Sequence, residues 1–287
     1  MPEQPPSPIS RAVLASMGGA RTPRLGQIGE ALVRHLHAFV AEIEPTQAEW
    51  ADAIAFLTRT GQTCTPSRQE FILLSDVLGV SMLVDELNHR ADESATSSTV
   101  VGPFYRSDPP VCPLGTDIGG GAAGTPMLVD GTVRSGGEPL ADTIVDTWQA
   151  DDDGFYDVQR DDLPGDATAL RARFQTGADG RFWFWTVVPA DYPIPADGPV
   201  GDLLTAFGRH PYRPAHVHFR LAHPEHRELI THVFLPGSPY LASDAVFGVK
   251  PDLIQAVDRH PPGVAPDGRP MAVEYVTLGY DFTLSRL

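Results

Sequence analysis

Cysteine is scarce in this chain. It has two, Cys64 and Cys112, far apart and neither with a CxxC partner. That rules against thiolate metal binding and a disulfide framework, and leaves at most one optional bridge. Basic residues are also few, 21 Lys and Arg against 37 Asp and Glu, for a formal net charge of −16. A surface of that sign disfavours nucleic acid and anionic membrane as main partners, although one local arginine can still hold a small anion. No stretch reaches the ~18 uninterrupted apolar residues that a membrane span requires. The opening Met1-Pro-Glu-Gln-Pro-Pro-Ser-Pro8 has no basic start followed by an apolar run. It reads as a short disordered arm and not a signal peptide, so the expected location is cytoplasmic.

What is present is an ordinary globular composition, 42% hydrophobic and 20% charged, enough for one large domain or two small ones. Residues 1–100 read as a helical N-terminal domain. Leu25, Ile28, Leu32, Leu36 and Phe39 recur at helical spacing. Thr46-Gln-Ala-Glu49 is a capping box ahead of Trp50, Ile54 and Leu57. A third helix is expected from Thr65-Pro66 through Phe71, Leu74, Leu78 and Met82 toward His89. Its apolar breadth predicts burial, in the domain or between subunits.

Beyond residue 100 helical periodicity fades. Short β-type runs are expected at Met127–Val133, Asp142–Trp148, Gly180–Val188, His216–Leu221, Leu229–Leu235 and Ala272–Leu284, separated by turns. Residues 101–287 therefore read as an antiparallel β-sandwich, giving an α+β protein overall. Asp252–His260 is either a short helix or an extended loop, Gly115–Gly124 is a loop, and Asp151–Asp153 is a solvated turn.

The richest segment is Arg213-Pro-Ala-His-Val-His-Phe-Arg220. On a strand, His216 and His218 share one face while Val217 and Phe219 take the other. Two imidazoles make half of a metal site. Carboxylates are plentiful, but Tyr156, after an acidic turn, and Tyr192, in Asp191-Tyr-Pro-Ile-Pro195, stand in polar, turn-flanked settings where a core tyrosine is less expected. Phenolate is a hard anion with an ordinary pKa near ~10, and holding it deprotonated at neutral pH needs a strong Lewis acid. Iron(III) suits it better than zinc or magnesium.

These motifs resemble the intradiol ring-cleaving dioxygenases of the catechol 1,2-dioxygenase group. The resemblance runs from Arg68–Gly79 to about Lys250, and more loosely through the helices before it. It rests on Ser98-Thr-Val-Val-Gly-Pro-Phe-Tyr105, Asp146-Thr-Trp-Gln-Ala-Asp151 with Gly154-Phe-Tyr156, Tyr192–Val200 and Arg213–His218. The Leu-Leu-Ser-Asp-Val-Leu-Gly helix and Ser243–Lys250 look most like members that cleave hydroxyquinol (1,2,4-trihydroxybenzene). The resemblance implies ferric iron held by Tyr156, Tyr192, His216 and His218. It implies catalytic roles for Tyr192, which leaves the metal and accepts a substrate proton, and for Arg213, which balances developing negative charge. It implies a substrate pocket of Leu73, Asp76, Val101, Gly102, Phe104, Ile194, Pro195, Arg213 and Val246, with Asp76 on the extra ring hydroxyl. It further implies a homodimer through the N-terminal helices with a phospholipid at that interface.

His232 departs from the glutamine of many catechol-cleaving relatives, and reads as a core histidine beside the metal or as a competing third imidazole. His35, His37, His89, His223, His226 and His260 read as surface or helix-end residues, and Trp183 and Trp185 as core or interface aromatics. Two other readings stay open: cleavage of catechol or chlorocatechol, and a non-catalytic β-sandwich whose His/Tyr cluster holds zinc or nothing.

Overall fold

The computed structural model describes residues 7–65, 68–89, 94–160, 163 and 168–287. It divides into two compact units, Met1–Arg59 and Thr60–Leu287. The expected N-terminal arm falls mostly on residues 1–6, and Pro66 on residues 66–67, both outside the described residues.

The first unit is helical: α1 (Pro8–Ala15), α2 (Pro23–Ile43) and most of α3 (Gln47–Thr63). Ser7 caps α1 and Thr22 caps α2, each side chain accepting a backbone N–H and each followed by proline at the helix start. The capping box forms as expected, with Thr46 N–H donating to Glu49 at 2.8 Å and Glu49 N–H donating to Thr46 Oγ1 at 3.2 Å. The α2 stripe of Leu25, Ile28, Leu32, Leu36 and Phe39 is 48–63% exposed.

In the second unit the expected third helix is two helices. α4 (Glu70–Val77) begins after the Thr65–Arg68 bridge and not at Thr65-Pro66, and α5 (Val80–His89) follows a turn at Leu78-Gly79. Glu70, fully buried, accepts from Arg68 and from Val200 N–H, and this anchors the start of α4. Leu73 and Val77 are buried, whereas Phe71, Ile72, Leu78 and Val80 are about half exposed.

The strands follow in order: β1 (Pro126–Ser135), β2 (Glu138–Pro139), β3 (Ile144–Gln149), β4 (Arg171–Gln175), β5 (Arg181–Val187), β6 (Tyr192–Pro193), β7 (Tyr212–Arg213), β8 (His216–Ala222) and β9 (Leu229–Phe234). The last are β10 (Asp258–His260), β11 (Gly263–Val264), β12 (Pro270–Met271), β13 (Tyr275–Gly279) and β14 (Phe282–Thr283). The sequence pattern misses β4, the two-residue strands β2, β6, β7, β11 and β12, and α6 (Pro199–Ala206). Asp252–His260 holds the end of a 3-10 turn and β10, and Ala272–Leu284 is two strands because both β13 and β14 pair with β1.

One sheet is antiparallel, ordered β4-β3-β8-β9. The other is mixed: β5 runs antiparallel to β1, but β13 and β14 run parallel to it, which alternation alone cannot reveal. Between the sheets lies the main core, with Val129, Phe182, Phe184 and Phe282 facing Val145, Phe174, Val217, Phe219 and Val233. Each such phenylalanine contributes roughly 2–3 kcal/mol through burial. Trp185 packs with Leu128 and Tyr275 on the reverse of β1 and β5, with Trp183 partly buried against them. Lys250, the only lysine in the sequence, donates to Ser98 O at 2.6 Å and pairs with Asp85 of α5 at 3.2 Å.

Gly131 lies where β1 meets the Tyr280 carbonyl: an added Cβ would sit 2.0 Å from that oxygen and 3.0 Å from the Phe182 ring. Gly131→Ala is expected to cost about 2–3 kcal/mol, read as a lower urea midpoint at unchanged slope.

Candidate active site and metal centre

Pairing register builds this site. β8 faces the core with Val217, Phe219 and Leu221, leaving His216 and His218 on the outer face. Trp148, His218 and His232 stand abreast on three neighbouring strands, and Phe234 is opposite His216. Trp148 stacks on the His218 ring at 4.5 Å and 15°, fixing its plane.

The tyrosines arrive from outside this sheet. After β3, Asp151 accepts the N–H groups of Asp153 (3.0 Å) and Phe155 (2.8 Å) and pairs with Arg160. Asp151 is thus 7% exposed, and the expectation of a solvated run fails at that residue because its carboxylate organises the turn. Gly154 has φ 88, and a Cβ there would meet Asp191 O at 3.0 Å and Tyr192 Cβ at 3.1 Å, so this turn is what lets the two tyrosine segments touch. Tyr156 follows, with its neighbour Asp157 in a buried ion pair to Arg171. Tyr192 is opposite Arg213 in the β6–β7 pair.

The expected ligands converge. His216 Nε2 and His218 Nε2 are 3.0 Å apart, and Tyr156 Oη lies 2.9 Å from His218 Nε2. Arg213 Nη1 reaches His216 Nε2 at 3.4 Å and Tyr192 Oη at 3.5 Å. All five residues are buried. His216 Nδ1–H donates to Pro214 O at 2.6 Å, which leaves its Nε2 lone pair for the cluster. His232 also belongs here: the ligand atoms of His216, His218 and His232 lie within 4.8 Å of one another. Its Nδ1 is 2.5 Å from Thr99 Oγ1, while its Nε2 and the Nδ1 of His218 have no partner among the described residues.

Burial decides the charges. Tyr156 is pushed well above its ordinary pKa by burial and then by Tyr192, and Tyr192 is raised by burial against the opposing pull of Arg213. Burial, with Arg213 adding to it, holds His216 and His218 well below the usual histidine value, and His232 likewise through burial and His218. For Arg213 burial opposes the charge, but Asp244 and the phenols outweigh it and the pKa rises. Neutral rings around a shared gap fit a cation: two imidazole lone pairs 3.0 Å apart suit ligands ~2.1 Å from one ion. Phenols beside them provide the hard donors that favour a trivalent metal.

The residues expected to line the pocket surround this cluster. Leu73, Phe104, Ile194 and Val246 share one apolar cluster with Tyr156, Tyr192 and Trp148, and Val101 packs against it. Phe104 stacks on Tyr156 at 4.5 Å. A Cβ on Gly102 would sit 3.2 Å from His218 Cε1, and half-buried Pro195 follows Ile194. Asp76 is buried on α4, its pKa raised by burial against a hydrogen bond to Ser81 and the charge of Arg213. Sequence reasoning missed Thr99 and Asp244, although both fall inside quoted motifs. A buried arginine requires a carboxylate, and that was the available signal for Asp244. Among the histidines read as surface residues, His226 is 6% exposed, with Nδ1 2.9 Å from His223 Nδ1. Cys64 and Cys112 are free thiols, and no described helix is long and apolar enough to cross a membrane.

Residues 22–96 match the catechol dioxygenase N terminus and residues 102–285 match the dioxygenase family. The chain belongs to the intradiol ring-cleavage dioxygenases and is an enzyme of that class. Among its relatives, a hydroxyquinol 1,2-dioxygenase of Nocardioides simplex is 47% identical over 95% of this chain and 93% of its own length. One from Rhizobium sp. (strain MTP-10005) is 50% identical over 87% of this chain and 85% of its own. The solved structure of hydroxyquinol 1,2-dioxygenase from Pseudomonas putida DLL-E4 superposes with a TM-score of 0.90 at 44% identity, covering 97% of this chain and 98% of that one.

Three buried histidines with depressed pKa values set a sign for acid stability. The unfolded rings take protons near their ordinary 6.5 while the folded rings resist them, so stability is full above that value and falls as pH drops below it. Metal-free protein is expected to show a steadily falling urea midpoint from pH 7 to pH 5, each ring adding up to about 1.4 kcal/mol per pH unit.

Proposed function

We propose that this enzyme opens the ring of hydroxyquinol between its adjacent hydroxyl carbons, using O2 and one ferric ion held by Tyr156, Tyr192, His216 and His218. The product is 3-hydroxy-cis,cis-muconate, which tautomerises to maleylacetate, and both oxygen atoms enter it. The observation that carries this reading is the dry convergence of two imidazoles and two phenols beside Arg213, on a chain nearly half identical to hydroxyquinol 1,2-dioxygenases.

When bound, iron(III) supplies a Lewis acid that holds the diol as a dianion and prepares the ring to react with O2. Tyr192, a phenolate when it holds the metal, takes one diol proton at Oη and a hydroxide takes the other, so the site carries its own base. Arg213 presents Nη1 to that same oxygen and to His216, where a fixed planar cation offsets negative charge as it develops. Leu73, Val101, Phe104, Ile194 and Val246 exclude water and, with Gly102 and Pro195, shape the ring slot. Asp76 accepts a hydrogen bond from the third ring hydroxyl, which catechol lacks. His232, tethered by Thr99, stays a neighbour of the ligands and not one of them.

The helical residues 1–100 serve dimerisation, with Leu73 and Asp76 of α4 also reaching the substrate slot, and residues 101–287 carry the iron ligands. The half-exposed stripe of α2 and, separately, Phe71, Ile72, Leu83, Val84 and Leu87 of α4 and α5 support a homodimer. An open groove of about 470 Å³ lined by Leu78, Met82, Leu83 and Phe247, with charged Glu86 and Lys250 at its wall, supports a phospholipid at the helical interface. Free thiols fit a cytoplasmic enzyme of aromatic catabolism.

Iron-loaded protein is expected to absorb visible light through tyrosinate-to-iron charge transfer, and Tyr156→Phe or Tyr192→Phe to weaken that band. A colourless, inactive protein after iron loading would favour a non-catalytic module. Activity should be higher on hydroxyquinol than on catechol or chlorocatechols. Asp76→Ala should lower kcat/KM on hydroxyquinol by about 10- to 100-fold and on catechol far less. Equal losses on both diols would remove the assigned role.

A further inference from the structure

Arg213 and Asp244 are 1% and 4% exposed and meet edge to edge, Nε to Oδ1 at 3.1 Å and Nη2 to Oδ2 at 3.3 Å. That contact occupies two of the three guanidinium nitrogens and leaves Nη1 facing Tyr192 Oη and His216 Nε2. The carboxylate cannot turn freely, because Gly248 N–H donates to Oδ2 at 2.8 Å and Val246 N–H to Oδ1 at 3.4 Å. Gly248 closes the cradle, since a Cβ there would lie 2.9 Å from Arg213 Nη2. The segment 244–248 is pinned in turn. Ala245 N–H donates to Tyr212 O, and Arg209 donates to both Ala245 O and Val77 O, which ties this segment to α4.

We propose that Asp244 is a positioning residue for ring cleavage: it acts through Arg213, holding the guanidinium edge-on so that Nη1 alone faces the phenol and imidazole, without touching the diol itself. The proposal rests on the reading of Arg213 as the cation that faces the reacting centre. An arginine side chain is long and has many rotamers. A bidentate carboxylate removes that freedom before substrate arrives, so the charge need not reorganise during reaction. An amide in place of the carboxylate would set an N–H donor against a guanidinium N–H donor, and the fork would rotate away.

The test is a double-mutant cycle on iron-loaded dimer with hydroxyquinol, using Asp244→Asn, Arg213→Lys and the pair. Asp244→Asn is expected to lower kcat by about 100-fold while KM changes by less than about threefold. In the Arg213→Lys background the same change should add almost nothing, because the group through which it acts is already altered. A crystal structure of metal-free Asp244→Asn should show Nη1 withdrawn from Tyr192 Oη. Should Asp244→Asn fail to fold, Gly248→Ala keeps the carboxylate but displaces Nη2, and it should reproduce the kcat loss. Additive losses in the cycle, a change confined to KM, or an unmoved guanidinium would overturn the proposal. Wild-type protein inactive on every diol would instead overturn the functional reading, and the guanidinium position in the crystal would still decide the role of Asp244.

Discussion

Desolvation is the constraint on which this structure turns. Two phenols, three imidazoles and a guanidinium sit together almost without solvent. Water would otherwise stabilise phenolate and imidazolium, and its removal keeps both groups neutral. The sandwich core serves this end indirectly. Packing Val217 and Phe219 between the sheets forces their alternate neighbours onto the outer face, where residues of α4, the 100–105 segment and α6 pack with Trp148 and both tyrosines.

Arg213, the cation whose Nη1 reaches His216 and Tyr192, is itself buried against Asp244, and the arrangement has a second effect. Asp76, on a different element, lies within the field of both, attracted by one and repelled by the other. Asp76, Arg213 and Asp244 therefore form one electrostatic unit, and substitutions among these three residues will not combine additively.

Much of this was legible in the sequence, for reasons that can be named. The alternation in His216–Phe219 fixes which residues face the His/Tyr cluster, because a one-residue slip would turn the apolar residues outward. The turn around Gly154 and the prolines around Tyr192 single out these two tyrosines, but the polar setting they suggest is wrong: both are buried in an apolar cluster. The parallel pairing of β13 and β14 with β1 was not legible, since hydrophobic alternation is blind to strand direction. Nor was the division of α4 from α5 at Gly79, because apolar residues continue across the turn. Asp244 and Thr99 escaped notice because their meaning is relational: each matters through one partner, Arg213 or His232, distant in sequence.

Lys250 holds the backbone before Thr99 to α5, and it is the chain's entire complement of side-chain amines. Amine-directed chemistry, whether acetylation, reductive methylation or attachment to an activated resin, therefore has one ε-amino target here. That target is already committed to a carbonyl and a carboxylate, one residue from the threonine that tethers His232. Reagents of this kind will either spare the enzyme or act through the segment that borders His232.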